Sequence, residues 1–394
     1  MRLGLIFLVV AYVLSQFYRA FLAVLTPVLE TEIGATADDL AIASGLWFLV
    51  FALMQIPVGW ALDTIGPKRT AGILLALGAA GGAFVFAAAT SPAHISIAMV
   101  LIGIGCSPVL MSSYYIFAKV YPPAVFATLA GAVIGIGSLG NLAGSVPMAW
   151  AVETLGWRET LAGLGAVTLA VAIALMVFIQ DPPKDESAPK GSVLDLLRIP
   201  ALWLIFPLMF VNYAPSAGIR GLWIGPYLSD VYALDALGIG QITLVMGLAM
   251  ILGNFVYGPL DRILPSRKWI VFIGNALGAL ACFALYQTPA GTLTYSAFLL
   301  AAIGFFGASF PVVIAHAREF FPSHLTGRGV TLLNLFGIGG VGIMQVVTGR
   351  VHGANQGAPA DPYQAIFLMF GLLVVAGLTI YVFAKEHPVS TRKG

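Results

Sequence analysis

Two arginines lie within stretches of the sequence that are otherwise almost entirely apolar. Arg19 occurs in AYVLSQFYRAFLAVL, and Arg220 occurs in a second apolar stretch in the other half of the chain. A charged side chain at the centre of a membrane-spanning helix costs about 2.5–3.5 kcal/mol, so such residues normally face a cavity or a partner. A guanidinium group binds a carboxylate or phosphate bidentately. The two arginines therefore predict a substrate-binding site for an anion.

Each arginine belongs to a stripe of polar side chains with helical spacing, so each stripe shares one face of its helix. Lipid does not accept such a face, and both stripes are predicted to line an internal substrate cavity. No Asp or Glu falls within the predicted spans, which leaves net positive charge in that cavity. The alternative is that each arginine reaches the outer surface or bonds to backbone carbonyls. The stripes are Tyr12, Gln16 and Arg19, and Asn212, Ser216 and Arg220.

Further candidates for substrate contact are lone polar residues on apolar helices, for which hydrogen bonding between helices is the alternative. They are Tyr114, Tyr115, Asn141, Asn254, Asn334 and Gln345. Met246 and Met250 lie four residues apart, a spacing that would suit a soft metal such as Cu(I). Two buried arginines would repel a metal cation, so packing is the favoured interpretation. We expect no metal, no cofactor and no nucleic-acid partner.

The composition defines the elements that must position these residues. The chain is 59% hydrophobic and 9% charged, whereas soluble domains carry roughly 25% charged residues. The solvent must therefore be largely lipid, in which helices satisfy their own backbone hydrogen bonds. The sequence predicts an all-α membrane protein with twelve spans, at about 3–29, 40–62, 70–90, 93–118, 124–150, 160–180, 199–226, 240–260, 268–287, 292–316, 327–349 and 362–384.

Short motifs recur in the two halves of the chain. LDTIGPKR begins at Leu62 and LDRILPSR begins at Leu260, and two further echoes recur at nearly the same offset. This repetition predicts two six-helix bundles, residues 1–180 and 199–394, joined by a polar linker at residues 181–198. Such parallel repeats occur in transporters with a site near the bilayer midplane.

Most of the 19 Lys and Arg residues fall at the termini, in the linker or in alternate connections. Positive charge favours the cytoplasmic side of a membrane. The distribution therefore predicts a multi-pass protein of the cytoplasmic (inner) membrane, with both termini and the linker in the cytoplasm.

The connection after the second predicted span carries a charged, glycine-containing motif, Gly59-x-x-x-Asp63-x-x-Gly66-x-Lys68-Arg69. It resembles the signature between helices 2 and 3 of the major facilitator superfamily. The resemblance covers the whole chain and implies a secondary transporter that works by alternating access, not an enzyme. It also implies that the motif is part of a gate, with Asp63 as a latch between the two halves. A simpler role for Asp63 is to anchor a helix end.

The second copy of the motif departs from the signature, since Tyr257 and Leu264 replace its glycines. Asp261 and Arg267 are its gating candidates. Gly131, Gly140 and Gly144 match the spacing of a glycine motif in some exporters of the superfamily, although close packing of small residues explains them equally well.

These observations favour a transporter of a small organic anion, such as a carboxylate or a phosphate ester. The pairing of an arginine on helix 1 with an arginine on helix 7 also resembles a pairing found in organophosphate–phosphate antiporters of the superfamily. We expect a monomer in the lipid bilayer that exchanges its substrate for another anion or carries it with a proton. The alternatives are efflux of amphipathic drugs and import of copper or another micronutrient.

Overall fold

The structure is a computed structural model that describes residues 2–121, 123–183, 193–264, 266–322 and 326–386. Within these ranges it does not describe the side chains of residue 2 or of residues 123–128, 193–194, 261–262 and 326–328. The described residues contain helices and no strand. The all-α fold predicted from composition is confirmed.

Ten helices in the described ranges, several of them with short internal breaks, are long and apolar enough to cross a membrane, and two bent pairs of helices bring the number of spans to as many as twelve. We number them as spans 1 to 12 in chain order. Their bounds are Arg2–Phe17 with Leu22–Ile33, Ala37–Thr64, Pro67–Ala87, Pro92–Val120, Pro123–Ala143 with Val146–Leu155, Trp157–Phe178, Pro200–Tyr232, Ala236–Ile263, Arg267–Gln287, Leu293–Arg318, Thr326–Ala354 and Asp361–Tyr381.

Span 1 is bent by 51° between its two helices, and Arg19 lies in the break. The prediction of one continuous helix over 3–29 was therefore wrong on this point. The break could not be recognised from the sequence, because residues 18–21 contain no glycine or proline. The second helix of the span runs beyond residue 29 to Ile33. It ends there because Gly34 adopts the left-handed conformation that caps a helix, with its N–H directed to the carbonyl of Glu30.

Several other spans are also irregular, and span 3, for example, contains a π-helical turn over Leu75–Ala80. Span 5 bends by 42° at Ser145, just before Pro147, which has no N–H to continue the hydrogen-bond ladder. Span 7 contains a π-helical turn over Ile219–Trp223, and this turn includes Arg220. Such π-helical turns occur frequently at functional sites. Both intramembrane arginines are thus placed by helix irregularities.

Glycines hold corresponding pairs of spans in close contact in the two halves of the chain. A Cβ added to Gly140 would lie 1.9 Å from the carbonyl oxygen of Val13 in span 1. A Cβ added to Gly340 would likewise lie 1.9 Å from the carbonyl oxygen of Phe210 in span 7. The same backbone contact is therefore made by span 5 on span 1 and by span 11 on span 7. The internal duplication inferred from sequence motifs has a direct structural counterpart.

A second contact of this kind recurs between spans 2 and 4 and between spans 8 and 10. A Cβ on Gly103 would lie 2.8 Å from the carbonyl oxygen of Trp47, and one on Gly304 would lie 2.9 Å from that of Met246. Met250 also contacts Gly304 through its side chain. The methionine pair therefore packs against a neighbouring helix.

The chain forms two compact units. The first comprises Met1–Glu186, Gly221–Ser229 and Ala233–Leu244, and the second comprises Ser187–Arg220, Asp230–Tyr232 and Val245–Gly394. Parts of spans 7 and 8 thus belong to the first unit. The boundaries 1–180, 181–198 and 199–394 follow the sequence repeat rather than these contacts, and they stay a prediction.

Candidate functional site

Arg19 lies against two aromatic rings of span 2. Its guanidinium carbon is 4.7 Å from the centre of the Phe51 ring and 5.3 Å from that of Trp47. The two rings are stacked on each other, with centroids 5.1 Å apart. A cation over an aromatic face is stabilised by about 0.5–2 kcal/mol, depending on its desolvation. The rings therefore hold the charge inside the unit without neutralising it.

The guanidinium of Arg19 forms no hydrogen bond or ion pair with any residue that the structure describes, and its Nε is shielded from solvent. The rest of the side chain is partly accessible. Directly after it, the second helix of span 1 begins at Leu22 with no side chain capping its first N–H groups. Helix N-termini carry partial positive charge and attract anions. The charge around Arg19 is therefore positive, whereas the predicted cavity lined by both arginines stays a prediction.

The other members of the span 1 stripe are buried in the first unit. Tyr12 packs against Gly137 of span 5. A Cβ added to Gly137 would lie 2.3 Å from the Tyr12 ring, so a larger residue at 137 would displace the ring. Gln16 lies one turn from Arg19 with 9% of its surface exposed, and its Oε1 atom accepts no hydrogen bond from a described residue. Tyr114, Tyr115 and Asn141 of the same unit are half-buried.

The stripe of span 7 joins a polar cluster inside the second unit. Asn212 donates through Nδ2 to Asn275 Oδ1 at 2.5 Å and to Ser309 Oγ at 3.0 Å, and Asn275 Nδ2 is 3.1 Å from the same hydroxyl. Asn275 and Ser309 belong to spans 9 and 10. Ser216 packs directly on Gly307 of span 10. Asn212 and Ser216 thus connect helices within the unit, which was the alternative to substrate contact.

Arg220 is buried in the second unit, with 4% of its surface exposed. Two residues before it, the carbonyl of Gly218 accepts a hydrogen bond from Gln345 Nε2 of span 11 at 3.2 Å. This bond supports the chain where the π-helical turn begins. Asn334 of span 11 is half-buried. Asn254 is exposed and donates to the carbonyl of Met250 in its own helix at 3.1 Å.

The signature after span 2 has a clear local structure. Gly66 has φ +105°, a conformation that side chains strongly disfavour, and a Cβ there would lie 2.7 Å from the carboxylate of Asp181. That carboxylate accepts a hydrogen bond from the N–H of Lys68 at 2.7 Å. Asp181 therefore caps the N-terminus of span 3, where a negative charge is stabilising. The sequence motif alone did not reveal this partner.

The second copy is capped in the same way. Glu386, just after span 12, accepts from the N–H of Lys268 at 2.8 Å and from Ser266 Oγ at 2.7 Å. Arg267 is paired with Glu319 at 3.0 Å within the second unit. Asp261 belongs to span 8, but its side chain lies outside the described residues. In both halves a carboxylate that follows the sixth helix fixes the start of the third.

The remaining gating candidates lie on the surface of the first unit. Asp63 and Arg69 are exposed, and Lys68 and Gly59 are partly exposed. Asp63 forms no hydrogen bond or ion pair with a described residue. The gating role of the motif stays a prediction. As for metals, the described residues contain no group of three or more His, Cys, Asp or Glu side chains that could hold an ion.

The comparisons with known proteins agree with this architecture. The chain matches the family model of the Major Facilitator Superfamily over residues 8–223 and 205–394. It is similar to a D-xylose–proton symporter of known structure, with a TM-score of 0.78 and 14% identity over 97% of each chain. This likeness concerns the fold. The protein is a multi-pass, non-enzymatic membrane transporter, and it belongs to the Major Facilitator Superfamily.

Curated relatives include transporters named for organic anions. The chain is 24% identical over 322 residues to the probable sulfoacetate transporter SauU of Cupriavidus necator, covering 75% of this chain and 74% of that protein. It is 27% identical over 234 residues to a gentisate transporter of Corynebacterium glutamicum, covering 56% of this chain and 50% of that protein.

Sequence reasoning did not identify several residues of these sites. Trp47 and Phe51 are four residues apart on span 2, but aromatic residues are plentiful and only the fold brings these two to Arg19. Asp181 and Glu386 could have been found from the sequence, because each is an acidic residue a few positions after the last helix of its half of the chain. Asn275 and Ser309 are lone polar residues on apolar helices, a pattern that does not identify their partner.

Proposed function

We propose that the protein transports a small organic anion by alternating access and that Arg19 and Arg220 bind its negative charge. The observation that carries this proposal is the state of Arg19. Its guanidinium is held on two aromatic rings in a broken span, and no described acid or hydrogen-bond acceptor neutralises it. A cation that is costly to place in a membrane is retained where it has a function. A bound anion would provide the missing partner.

The relatives support the same class of substrate. Sulfoacetate and gentisate, which appear in the names of two relatives, are both small organic anions. Arg220 supports the proposal from the second unit, since it is buried at an irregular turn of the span that corresponds to span 1. The efflux of amphipathic cations fits less well, because a positive site repels them.

We also propose the arrangement of the remaining parts. Both termini and the linker would lie in the cytoplasm, according to the distribution of Lys and Arg. The motif around Asp63 and its second copy around Asp261 would gate that side. Coupling would come from a counter-transported anion or from a proton.

Transport by proteoliposomes tests the proposal. The purified protein is assayed with a panel of labelled anions that includes sulfoacetate, malonate, gentisate and a phosphate ester. Arg19→Gln removes a charged hydrogen-bonding group, which is worth about 1.5–3 kcal/mol, so uptake at low substrate concentration should fall by roughly 10- to 100-fold. The same loss is expected for Arg220→Gln.

Arg158→Gln is the matched control. Arg158 donates to the carbonyls of Ala87 and Ala89 at 3.0 and 2.7 Å and lies over the ring of Trp157. Its guanidinium is therefore already bonded within the protein, unlike that of Arg19. Its loss should lower stability without changing the apparent affinity for substrate. Unchanged transport in both Arg19→Gln and Arg220→Gln would refute the anion site. Resistance to cationic drugs in an efflux-deficient host, with no anion uptake, would favour the efflux alternative.

A further inference from the structure

The polar cluster around Asn212 in the second unit contains an acceptor that no described residue satisfies. Asn212 is 2% exposed, and its Oδ1 atom accepts no hydrogen bond from a described residue. A buried amide oxygen is rarely left without a donor, because burial has already removed its hydrogen bonds to solvent. The cluster therefore requires one further donor at this atom.

The orientation of the Asn212 amide is fixed by its neighbours. Asn275 Nδ2 donates to the carbonyl of Val271 at 2.8 Å, and a carbonyl can only accept. Asn275 therefore presents its Oδ1 to Asn212, whose Nδ2 donates to it at 2.5 Å. Reversing the Asn212 amide would bring two carbonyl oxygens together. The atom that lacks a partner is thus the acceptor Oδ1 and not a donor.

Ser309 of span 10 lacks the complementary partner. Its Oγ atom accepts from Asn212 Nδ2 at 3.0 Å and from Asn275 Nδ2 at 3.1 Å. These two bonds use both lone pairs of the hydroxyl, and its own O–H has no acceptor among the described residues. Because the two ends of one amide are close together, Asn212 Oδ1 and Ser309 Oγ lie within the reach of a single bridging molecule. That molecule must both donate and accept.

A small cavity of about 20 Å³ lies at this cluster. Its polar lining comes from Asn212, Ser216 and Asn275. Ser216 is 1% exposed and donates through Oγ to the carbonyl of Tyr213 at 3.2 Å, so its lone pairs are available to a donor. A polar cavity needs about 10–15 Å³ to hold one water molecule. The cavity therefore has the size and the lining for a single water.

We propose that this cavity binds one ordered water molecule, which donates to Asn212 Oδ1 and Ser216 Oγ and accepts from the Ser309 hydroxyl. About three hydrogen bonds are typical of a buried water. The water connects spans 7 and 10 ahead of the π-helical turn that carries Arg220. A metal ion fits less well, because Ca²⁺ takes about six to eight oxygen ligands. The proposal goes beyond the proposed function, since it does not depend on the substrate.

A structure of the protein at a resolution that shows ordered water tests the site directly. The expected result is a density peak inside the cavity, about 2.7–3.2 Å from Asn212 Oδ1. The lack of any peak there would overturn the proposal. A peak with six or more oxygen neighbours at about 2.3–2.6 Å would be a metal ion and would overturn it as well.

Two variants of Gly278 test the same site in solution. Gly278 lines the cavity, and a Cβ added there meets only Phe306, at 3.4 Å, which is an ordinary contact. Gly278→Ser brings a hydroxyl that can donate in place of the water, whereas Gly278→Ala brings only a methyl group. In thermal unfolding, the Tm of Gly278→Ser should therefore exceed that of Gly278→Ala by about 1–3 °C.

Gly163 of span 6 provides the matched control, because it is exposed and no atom lies within 4 Å of a Cβ added there. Alanine has the higher helix propensity, so Gly163→Ser should have a lower Tm than Gly163→Ala. The order of serine and alanine is thus expected to reverse between the two positions. If serine is also the less stable residue at position 278, the water site is wrong. If neither Gly278 variant folds, the wild-type structure decides.

Discussion

Replacing Gly140 by alanine tests the contact that positions the span carrying Arg19. The added Cβ would lie 1.9 Å from the carbonyl oxygen of Val13. Since carbon and oxygen normally approach to about 3.3 Å, spans 1 and 5 would have to separate locally by more than 1 Å. A backbone carbonyl cannot rotate away as a side chain can, so the strain cannot be relieved by a change of rotamer.

The magnitude follows from two opposing effects. Overpacking costs about 1–3 kcal/mol, whereas alanine is favoured over glycine in a helix by about 0.8–1.0 kcal/mol. Gly163→Ala in span 6 should only gain the higher helix propensity of alanine, because no atom lies within 4 Å of a Cβ added there. Gly140→Ala should therefore be less stable than Gly163→Ala by about 1–3 kcal/mol, which corresponds to roughly 1–4 °C in Tm for a chain of 394 residues.

The assay is thermal unfolding of the purified protein in detergent, with fluorescence detection. Gly340→Ala gives an independent repetition, since its Cβ would lie equally close to the carbonyl of Phe210. Both variants should have a lower Tm than Gly163→Ala, and Gly140→Ala should also transport more slowly because Arg19 is displaced. If Gly140→Ala is as stable as Gly163→Ala, the inferred backbone contact is wrong.

Three further predictions concern the helix caps and the buried amides. Asp181→Asn and Glu386→Gln should each destabilise the protein by about 0.5–2 kcal/mol in thermal unfolding; unchanged Tm values in both would refute the caps. Asn275→Leu should cost about 1–3 kcal/mol because its partners lose a buried hydrogen bond, and a more stable variant would contradict this. Gly66→Ala should lower the Tm more than Gly34→Ala, since both have positive φ but only Gly66 faces a carboxylate; equal losses would count against that contact.

The sequence predicted the features that depend on local composition and on repetition. Apolar runs long enough to cross a bilayer defined the spans, and the shared motifs revealed the duplication that reappears in the contacts of Gly140 and Gly340. Arg19 could be proposed as a substrate-binding residue from the sequence, because a charge within a membrane-spanning segment is costly whatever helices surround it.

The features that depend on long-range packing could not be predicted. The break of span 1 at Arg19 has no glycine or proline to signal it, and span 2 supplies Trp47 only because the fold brings it beside span 1. Asn212 was expected to face the substrate, yet its hydrogen bonds go to Asn275 and Ser309. Helical spacing identifies a polar face, but it does not identify the neighbour that the face meets.

The most direct test of the central claim is a structure of the protein with a transported anion bound. The account predicts that the negatively charged group lies within hydrogen-bonding distance of the Arg19 guanidinium, at about 2.7–2.9 Å. An anion bound elsewhere, with Arg19 still resting on Trp47 and Phe51 and touching no ligand, would contradict it.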